Sequence, residues 1–170
     1  QGLVGPVGPH GPTGPQGLLG ATGPQGPTGP IKQVSILNDL KAVVKGSFVQ
    51  VSTMGYFVIG DGGGGTYTYD STDTTSADNG GTIIVATDGG RYKLVYNKFV
   101  YLEQFGAVGN STGLSSSGTD NTTRIQAAVT WASSNTNSPE LWTKSGMFRL
   151  TAPIVCNGPI TINGIKPRVK

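Results

Sequence analysis

The sequence predicts a mainly β protein that begins with a collagen triple helix and assembles as a homotrimer. Three observations predict this fold class. Glycine stands at every third position from Gly2 to Gly29, residues 47–96 contain short segments of alternating polar and apolar residues, and brief apolar runs follow Pro139. The alternation is typical of half-buried strands in a small antiparallel β-domain. The brief runs turn at Asn157-Gly158 and Asn163-Gly164 and predict the first coil of a parallel β-helix.

The glycine repeat predicts a triple-helical stalk over residues 1–31. Only glycine fits at the crowded axis of three wound chains, and a disordered linker would keep the composition without the strict period. Proline follows glycine in seven of the ten triplets. At about 3 Å per residue, the stalk would be roughly 90 Å long. The predicted axis residues are Gly2, Gly5, Gly8, Gly11, Gly14, Gly17, Gly20, Gly23, Gly26 and Gly29.

Composition argues against several classes of function. The net charge is +3 with scattered basic residues, which is not the footprint of a nucleic-acid-binding protein. His10 is the only histidine and Cys156 the only cysteine, so no metal ligand set, no cofactor site and no intrachain disulfide are expected. No apolar stretch approaches the length of a membrane span, so membrane insertion is not expected. The chain lacks an initiator Met and begins within the repeat, so we expect a piece of a longer protein.

Residues 32–102 are predicted to form a small antiparallel β-domain, an adaptor or trimerisation unit with a short leading helix. The helix is expected over residues 35–45, with Ser35 as its N-cap and Gly46 as its stop. The turn clusters between the alternating segments contain glycine, aspartate and asparagine. The predicted strands cover residues 47–53, 56–60, 66–70, 82–86 and 91–96.

The run Asp61-Gly62-Gly63-Gly64-Gly65 allows two interpretations. A phosphate-binding loop would continue into Lys-Ser/Thr and a helix, and neither follows here. We therefore predict a tight connection between strands, in which several of these glycines adopt positive φ.

Residues 103–138 are predicted to be a linker and a capping helix. Asp120 or Asn121 is the expected N-cap. The helix carries an apolar stripe, formed by Ile125, Ala128, Val129 and Ala132, that would cover the end of a solenoid. Residues 139–170 would begin the β-helix, and a solenoid needs about three coils for stability.

Several stretches of the chain resemble bacteriophage tailspikes and tail fibres with a pectate-lyase-like β-helix. The glycine-rich segments 56–70 and 78–84 are similar to the strand pair of spike head domains. Residues 105–109 with 120–128, and residues 145–150, are similar to the capping helix and opening strand of these β-helices. The resemblance implies a homotrimeric virion protein, outside the cell, whose receptor groove or catalytic carboxylates would lie beyond Lys170. No catalytic residue within residues 1–170 is implied.

Three functions follow as hypotheses. The first is a structural link between other phage tail, baseplate or adaptor proteins and a distal part that contacts host surface polysaccharide. The second is the N-terminal part of a polysaccharide depolymerase, and the third is a bacterial collagen-like surface adhesin. Hydrolysis requires paired carboxylates. Asp61, Asp70 and Asp78 are candidates for convergence, but turn chemistry is the simpler explanation for all three.

Overall fold

The computed structural model describes residues 1–6, 8–11, 31–113, 117–137, 139–144 and 146–164. Within these residues the protein is mainly β, with eight strands, two α-helices and one short 3₁₀ helix. The described part of the glycine repeat, which includes Gly2, Gly5, Gly8 and Gly11, is exposed and has no regular secondary structure. The remaining glycines of the predicted stalk, from Gly14 to Gly29, lie outside the described residues.

The first sheet has five strands in the order β1-β2-β3-β5-β4. The strands are β1 (Lys32–Val34), β2 (Gln50–Thr53), β3 (Thr66–Asp70), β4 (Ile83–Val85) and β5 (Arg91–Leu94). All neighbours are antiparallel except β1 and β2, which are parallel. The prediction of an antiparallel domain is therefore wrong at this edge. Helix α1 (Leu37–Lys41) lies in the crossover that parallel neighbours need.

Tyrosines dominate the core of this sheet. Tyr67 and Tyr92 are fully buried, and the ring of Tyr69 lies 5.5 Å from that of Tyr92, its cross-strand partner. Burial raises the pKa of Tyr92 to about 12, so its phenol stays neutral at physiological pH. The alternation read from the sequence thus corresponds to one packed face of the sheet.

The second sheet contains three parallel strands, β6 (Phe99–Tyr101), β7 (Glu140–Thr143) and β8 (Thr161–Gly164), in that order. Parallel bridges from Asn110 to Met147 and from Asp120 to Arg149 add to the same stacking. Stacked parallel strands of this kind are the pairing pattern of successive β-helix coils. Strand β6 pairs with β7 in this sheet, although it falls within residues 32–102 of the predicted first domain.

Two predicted elements of the first domain differ in the structure. Helix α1 is shorter than residues 35–45, and its N-cap is Ile36 rather than Ser35. The carboxylate of Asp39 accepts the Ile36 backbone N–H at 3.2 Å, which is the half of a capping box that needs no serine hydroxyl. The helix ends at Lys41 with Ala42 as its C-cap, and Gly46 lies in the following turn with φ of 75°. Residues 56–60 form a loop instead of a strand.

Helix α2 (Thr122–Ser134) packs against the 3₁₀ helix (Leu102–Phe105) and against β7. The residues of the sequence-derived stripe, Ile125, Ala128, Val129 and Ala132, are its buried residues. Phe105 is buried with them, and its ring lies 6.0 Å from the ring of Trp131. One hydrophobic core therefore runs from the first sheet through the 3₁₀ helix to α2. Among the described residues, no helix has the length and apolarity needed to cross a bilayer.

Candidate functional site

A cleft of about 530 Å³ lies where the two sheets meet. One wall is the loop that follows β2, including Tyr56 and Asp61, and the other contains Glu103, residues 106–110 and Lys144. We call this region the joint, defined as residues 54–65, 103–110 and 143–144. Here the loop after β2 contacts Glu103, just after the end of β6, and Lys144, just after the end of β7.

Asp61 organises the loop after β2. Its Oδ1 accepts backbone N–H groups from Tyr56 and Gly63, both at 2.9 Å, and its Oδ2 accepts those of Tyr56, Phe57 and Val58 at 2.7–3.1 Å. Burial by itself raises the pKa of this carboxyl, but the backbone donors outweigh burial and hold the pKa below its ordinary value. Because these N–H groups turn inward to one carboxylate, they are not available for strand pairing. This explains why residues 56–60 do not form the predicted strand.

The four glycines after Asp61 are required for a different reason from the one predicted. Only Gly62 has positive φ, at 90°; the other three are sites of close approach. A methyl group on Gly63 would overlap the Glu103 carbonyl oxygen and lie 2.6 Å from Tyr56 Cβ. A methyl group on Gly64 would lie 2.6 Å from the Thr53 carbonyl oxygen, and one on Gly65 2.6 Å from Leu94 Cδ1. The prediction of positive φ at several positions is wrong. Close approach of neighbouring atoms explains Gly63, Gly64 and Gly65, and only at Gly63 does the nearest atom belong to the opposite wall of the joint.

Lys144 fastens the second wall of the joint to the first, and Glu103 holds the backbone of Lys144 in place. Glu103 is 6% exposed, and its Oε1 accepts the Thr143 hydroxyl and the Lys144 backbone N–H, both at 2.9 Å. The Lys144 ammonium donates to the Gly62 carbonyl at 2.6 Å and lies 4.6 Å from the centre of the Tyr101 ring. The end of β7 is thereby tied to the glycine run of the first sheet. Removing the donors of a buried carboxylate would lower the stability of the fold, because the charge would be left without hydrogen bonds.

Asn121 holds the start of α2 by its side chain, in a way the sequence did not indicate. It is the N-cap residue and is fully buried, but its side chain does not cap the helix. Its Oδ1 accepts the Val108 N–H at 2.7 Å, and its Nδ2 donates to the carbonyls of Val108 and Thr119 at 3.0 and 2.9 Å. The amide therefore fixes the loop before α2 to residues 105–109. In a sequence, an Asn ahead of an apolar stripe indicates a helix cap. Only the burial of Asn121 in the structure shows that its amide binds the neighbouring loop instead.

Asp120 supplies the polar contacts at the helix start. Its Oδ1 accepts the Thr122 N–H and hydroxyl at 3.0 and 2.6 Å, and its Oδ2 accepts the Thr151 hydroxyl at 2.6 Å. These hydroxyl donors lower the pKa of Asp120 to about 2. The side chain connects α2 to the segment after Arg149.

The three acids considered for catalysis occupy separate hydrogen-bonding sites. Asp61 binds the loop amides, and Asp70 accepts from Thr72 and pairs with Lys93 at 2.9 Å. Asp78 pairs with Lys41 at 2.9 Å and accepts the Gly80 N–H. Within the described ranges, no group of three or more His, Cys, Asp or Glu side chains is placed to hold a metal ion. Asp61, Asp70 and Asp78 therefore each organise a separate turn or loop and do not converge.

Residues 33–97 match the family model of the phage tail protein small four-stranded β-sheet domain. The matched region contains the whole of β2 to β5 and the loop that follows β2. No match to a curated protein sequence was found.

Three solved structures are similar to this chain. The tailspike protein of Acinetobacter baumannii phage AM24 has a TM-score of 0.56 and 27% identity, over 72% of this chain and 19% of that chain. The tailspike protein gp49 of Acinetobacter baumannii bacteriophage Fri1, a capsular polysaccharide depolymerase, has a TM-score of 0.54 and 30% identity, over 68% of this chain and 20% of that chain. Pantoea stewartii WceF, a glycan biofilm modifying enzyme with a tailspike-like parallel β-helix fold, has a TM-score of 0.52 and 20% identity, over 71% and 17%.

The resemblance to phage tailspikes that the sequence indicated is confirmed for the β-domain and for the fold. At 20% identity the likeness to WceF shows the fold alone. The chain spans about a fifth of the length of the tailspike proteins that it matches.

Proposed function

We propose that this chain is the stalk and adaptor of a homotrimeric phage tailspike or tail fibre. In this proposal, residues 1–31 form a collagen-like rod and residues 32–102 a trimeric β-domain. Residues 103–138 form a linker and capping helix, and residues 139–170 the start of a receptor-binding β-helix. The observation that carries the proposal is the order of these features: an unbroken glycine repeat leads directly into a region that matches a phage tail β-domain.

The joint supports a structural role for this part of the protein. Within the joint, Asp61 holds a loop and Glu103 holds the end of β7. Next to the joint, Asn121 holds the start of α2 to Val108. A rod supplies reach, and a rigid joint transmits the orientation of the rod to the distal β-helix. The proposed partners are other tail, baseplate or adaptor proteins on the virion side and host surface polysaccharide on the distal side. The proposed location is the virion.

The trimer is tested by counting chains. Sedimentation of residues 1–170 should report three chains, because an unbroken glycine period stabilises only a three-stranded helix. Gly14→Ala would place three methyl groups at the crowded axis and should lower the first melting step seen by circular dichroism. The later step, from the β-domain, should stay in place. A clean monomer at micromolar concentration, or an unchanged first step in Gly14→Ala, would contradict the proposal.

A second candidate function is the N-terminal part of a polysaccharide depolymerase. The observation that favours it is the 30% identity with the Fri1 tailspike protein, which is a capsular polysaccharide depolymerase. Since the described acids are engaged in turns and loops, the proposed catalytic residues would lie in the distal β-helix beyond Lys170. The third hypothesis, a bacterial collagen-like adhesin, has no comparable support.

The position of the active site has its own test. Residues 1–170 incubated with host capsule or lipopolysaccharide should release neither reducing ends nor unsaturated sugars. Asp61 and Asp78 accept backbone N–H groups, and the carboxylates of Asp70 and Asp73 are both paired with the Lys93 ammonium. An established depolymerase acting on the same polysaccharide serves as the positive control. Turnover by this fragment would move the active site into the described residues and overturn the assignment.

A further inference from the structure

The loop after β2 presents three consecutive large apolar side chains to solvent. Phe57, Val58 and Ile59 are 45%, 62% and 61% exposed, and we call them the apolar tip. The tip is fixed in place, because the Asp61 carboxylate holds the N–H groups of residues 56–58 and Gly60 donates to the Met54 carbonyl at 3.0 Å. An exposed apolar group that is already rigid loses little conformational entropy on binding. Contiguous exposed apolar side chains of this kind mark an interaction site.

The loop that carries the tip is hydrogen-bonded, at its first residue, to the end of the strand that leaves the predicted stalk. Strand β1 begins three residues after Gly29, at an edge of the first sheet. At the far end of β1, the Met54 N–H donates to the carbonyls of Val34 and Ser35, both at 3.2 Å. Three β1 residues span only about 10 Å. Three chains that leave one triple helix therefore bring three copies of β1, and three apolar tips, around a common axis.

A groove of about 280 Å³ lies on the other side of the same loop. It is lined by α1 and by two aromatic residues: Ile36, Leu37, Asn38, Lys41, Tyr56 and Phe57. The charge of Lys41 is compensated, since its ammonium pairs with Asp78 at 2.9 Å. The groove thus offers aliphatic and aromatic surface, and the charge of Lys41 within it is already paired. Threefold symmetry joins two different patches of neighbouring chains, and a tip next to a groove supplies such a pair.

We propose that Val58 and Ile59 of one chain dock into this groove on the neighbouring copy, and that three such contacts close a ring at the base of the stalk. The inference rests on the homotrimer of the proposed function and assigns the surface that holds it. The occupant is a second copy of this chain because the stalk delivers copies to this position. Apolar contact at the ring would also supply the trimeric anchor that a ten-triplet rod needs to keep its strands together.

Disulfide trapping tests the contact directly. In a Cys156→Ser background, chains with Ile59→Cys and chains with Asn38→Cys are prepared separately and then refolded together. Asn38 is an exposed residue of the groove, so neither substitution empties a core. Under oxidation, the mixture should give covalent dimers, and each chain refolded alone should give far fewer. A mixture that cross-links no better than the single chains, while sedimentation still reports trimers, would overturn the contact but not the trimer.

A second arm measures association. Val58→Ser with Ile59→Ser should raise the concentration at which the full chain dissociates by about tenfold or more, because the docked side chains lose apolar burial. Val95→Ser is the matched control, since Val95 is 53% exposed and follows β5, three strands from β1. It should change the midpoint less than about twofold. Equal effects of the two variants would contradict the contact, whereas a monomeric parent chain would contradict the trimer itself.

Discussion

Replacing Asp61 by alanine is expected to lower the free energy of unfolding of the β-domain by about 3 kcal/mol, since hydrogen bonds to a charged acceptor are worth more than neutral ones. The substitution removes the single acceptor of four backbone N–H groups, from Tyr56, Phe57, Val58 and Gly63. Those groups then have to find water, and the loop loses the conformation that forms one wall of the joint. Urea unfolding followed by tyrosine fluorescence measures the change.

Asp39→Ala is the matched control for this substitution. The Asp39 carboxylate holds one backbone N–H, that of Ile36, at the start of a short helix. Its loss should cost about 1 kcal/mol or less, as for an ordinary helix cap. If Asp61→Ala is no more destabilising than Asp39→Ala, the carboxylate does not organise the loop.

The effect of Asp61 should also depend on pH in a defined direction. The pKa of Asp61 is lowered in the folded protein, so the folded state favours the ionised carboxylate. Its contribution is then fully present above the unfolded pKa, about 3.9, and is lost as the pH falls through the lower folded value. The difference in unfolding free energy between the parent chain and Asp61→Ala should therefore shrink below about pH 4. Taking the difference removes the parallel titration of Asp70 and Asp120.

Local alternation made part of this fold predictable. The segment Thr-Tyr-Thr-Tyr-Asp predicted a strand over residues 66–70, and β3 occupies the same residues because every second side chain packs in one core. The stripe of α2 was equally readable, since residues at spacings of three and four share a face of any α-helix. In both cases the signal and the structure depend on neighbours a few residues apart.

Long-range pairing was not predictable from such patterns. Strand β1 has only three residues, and its partner β2 lies beyond a helix, so no local period marks it. Strand β6 pairs with β7 across nearly forty residues, which removes it from the domain to which its position in the sequence assigned it. Residues 56–60 have the composition of a strand, and the Asp61 carboxylate takes the N–H groups that a strand would use.

The joint was the least predictable part, because its causes are contacts between distant segments. Gly63 looks like a turn residue in the sequence, whereas its requirement comes from Glu103, forty positions later. Glu103 itself carries no signal in the sequence, and only its burial and its bonds to the end of β7 identify it. The proposed role in orienting two modules rests on such contacts rather than on a motif.

Gly63→Ala should therefore have the second large effect, by forcing the joint apart. The new methyl group would overlap the Glu103 carbonyl oxygen and press on Tyr56 Cβ at 2.6 Å. Neither atom can rotate away, because both are fixed to the main chain, so the 3₁₀ helix and the loop have to separate. Overpacking of this kind costs roughly 1–3 kcal/mol. Gly60→Ala is the control, since Gly60 has φ of 83° but open space around its Cα, and it should cost about 1 kcal/mol from backbone strain alone.

Hydrogen exchange separates a joint that opens from a domain that is merely less stable. The Lys144 backbone N–H donates to Glu103 Oε1 within the second wall of the joint, and it lies outside the first sheet. When Gly63→Ala displaces Glu103, this amide should exchange markedly faster, while the amides of β3 and β5 change only as far as global stability falls. Gly60→Ala should leave the Lys144 amide at its parent rate after correction for stability. Equal acceleration in both variants would show that the close approach at Gly63 does not hold the two sheets together.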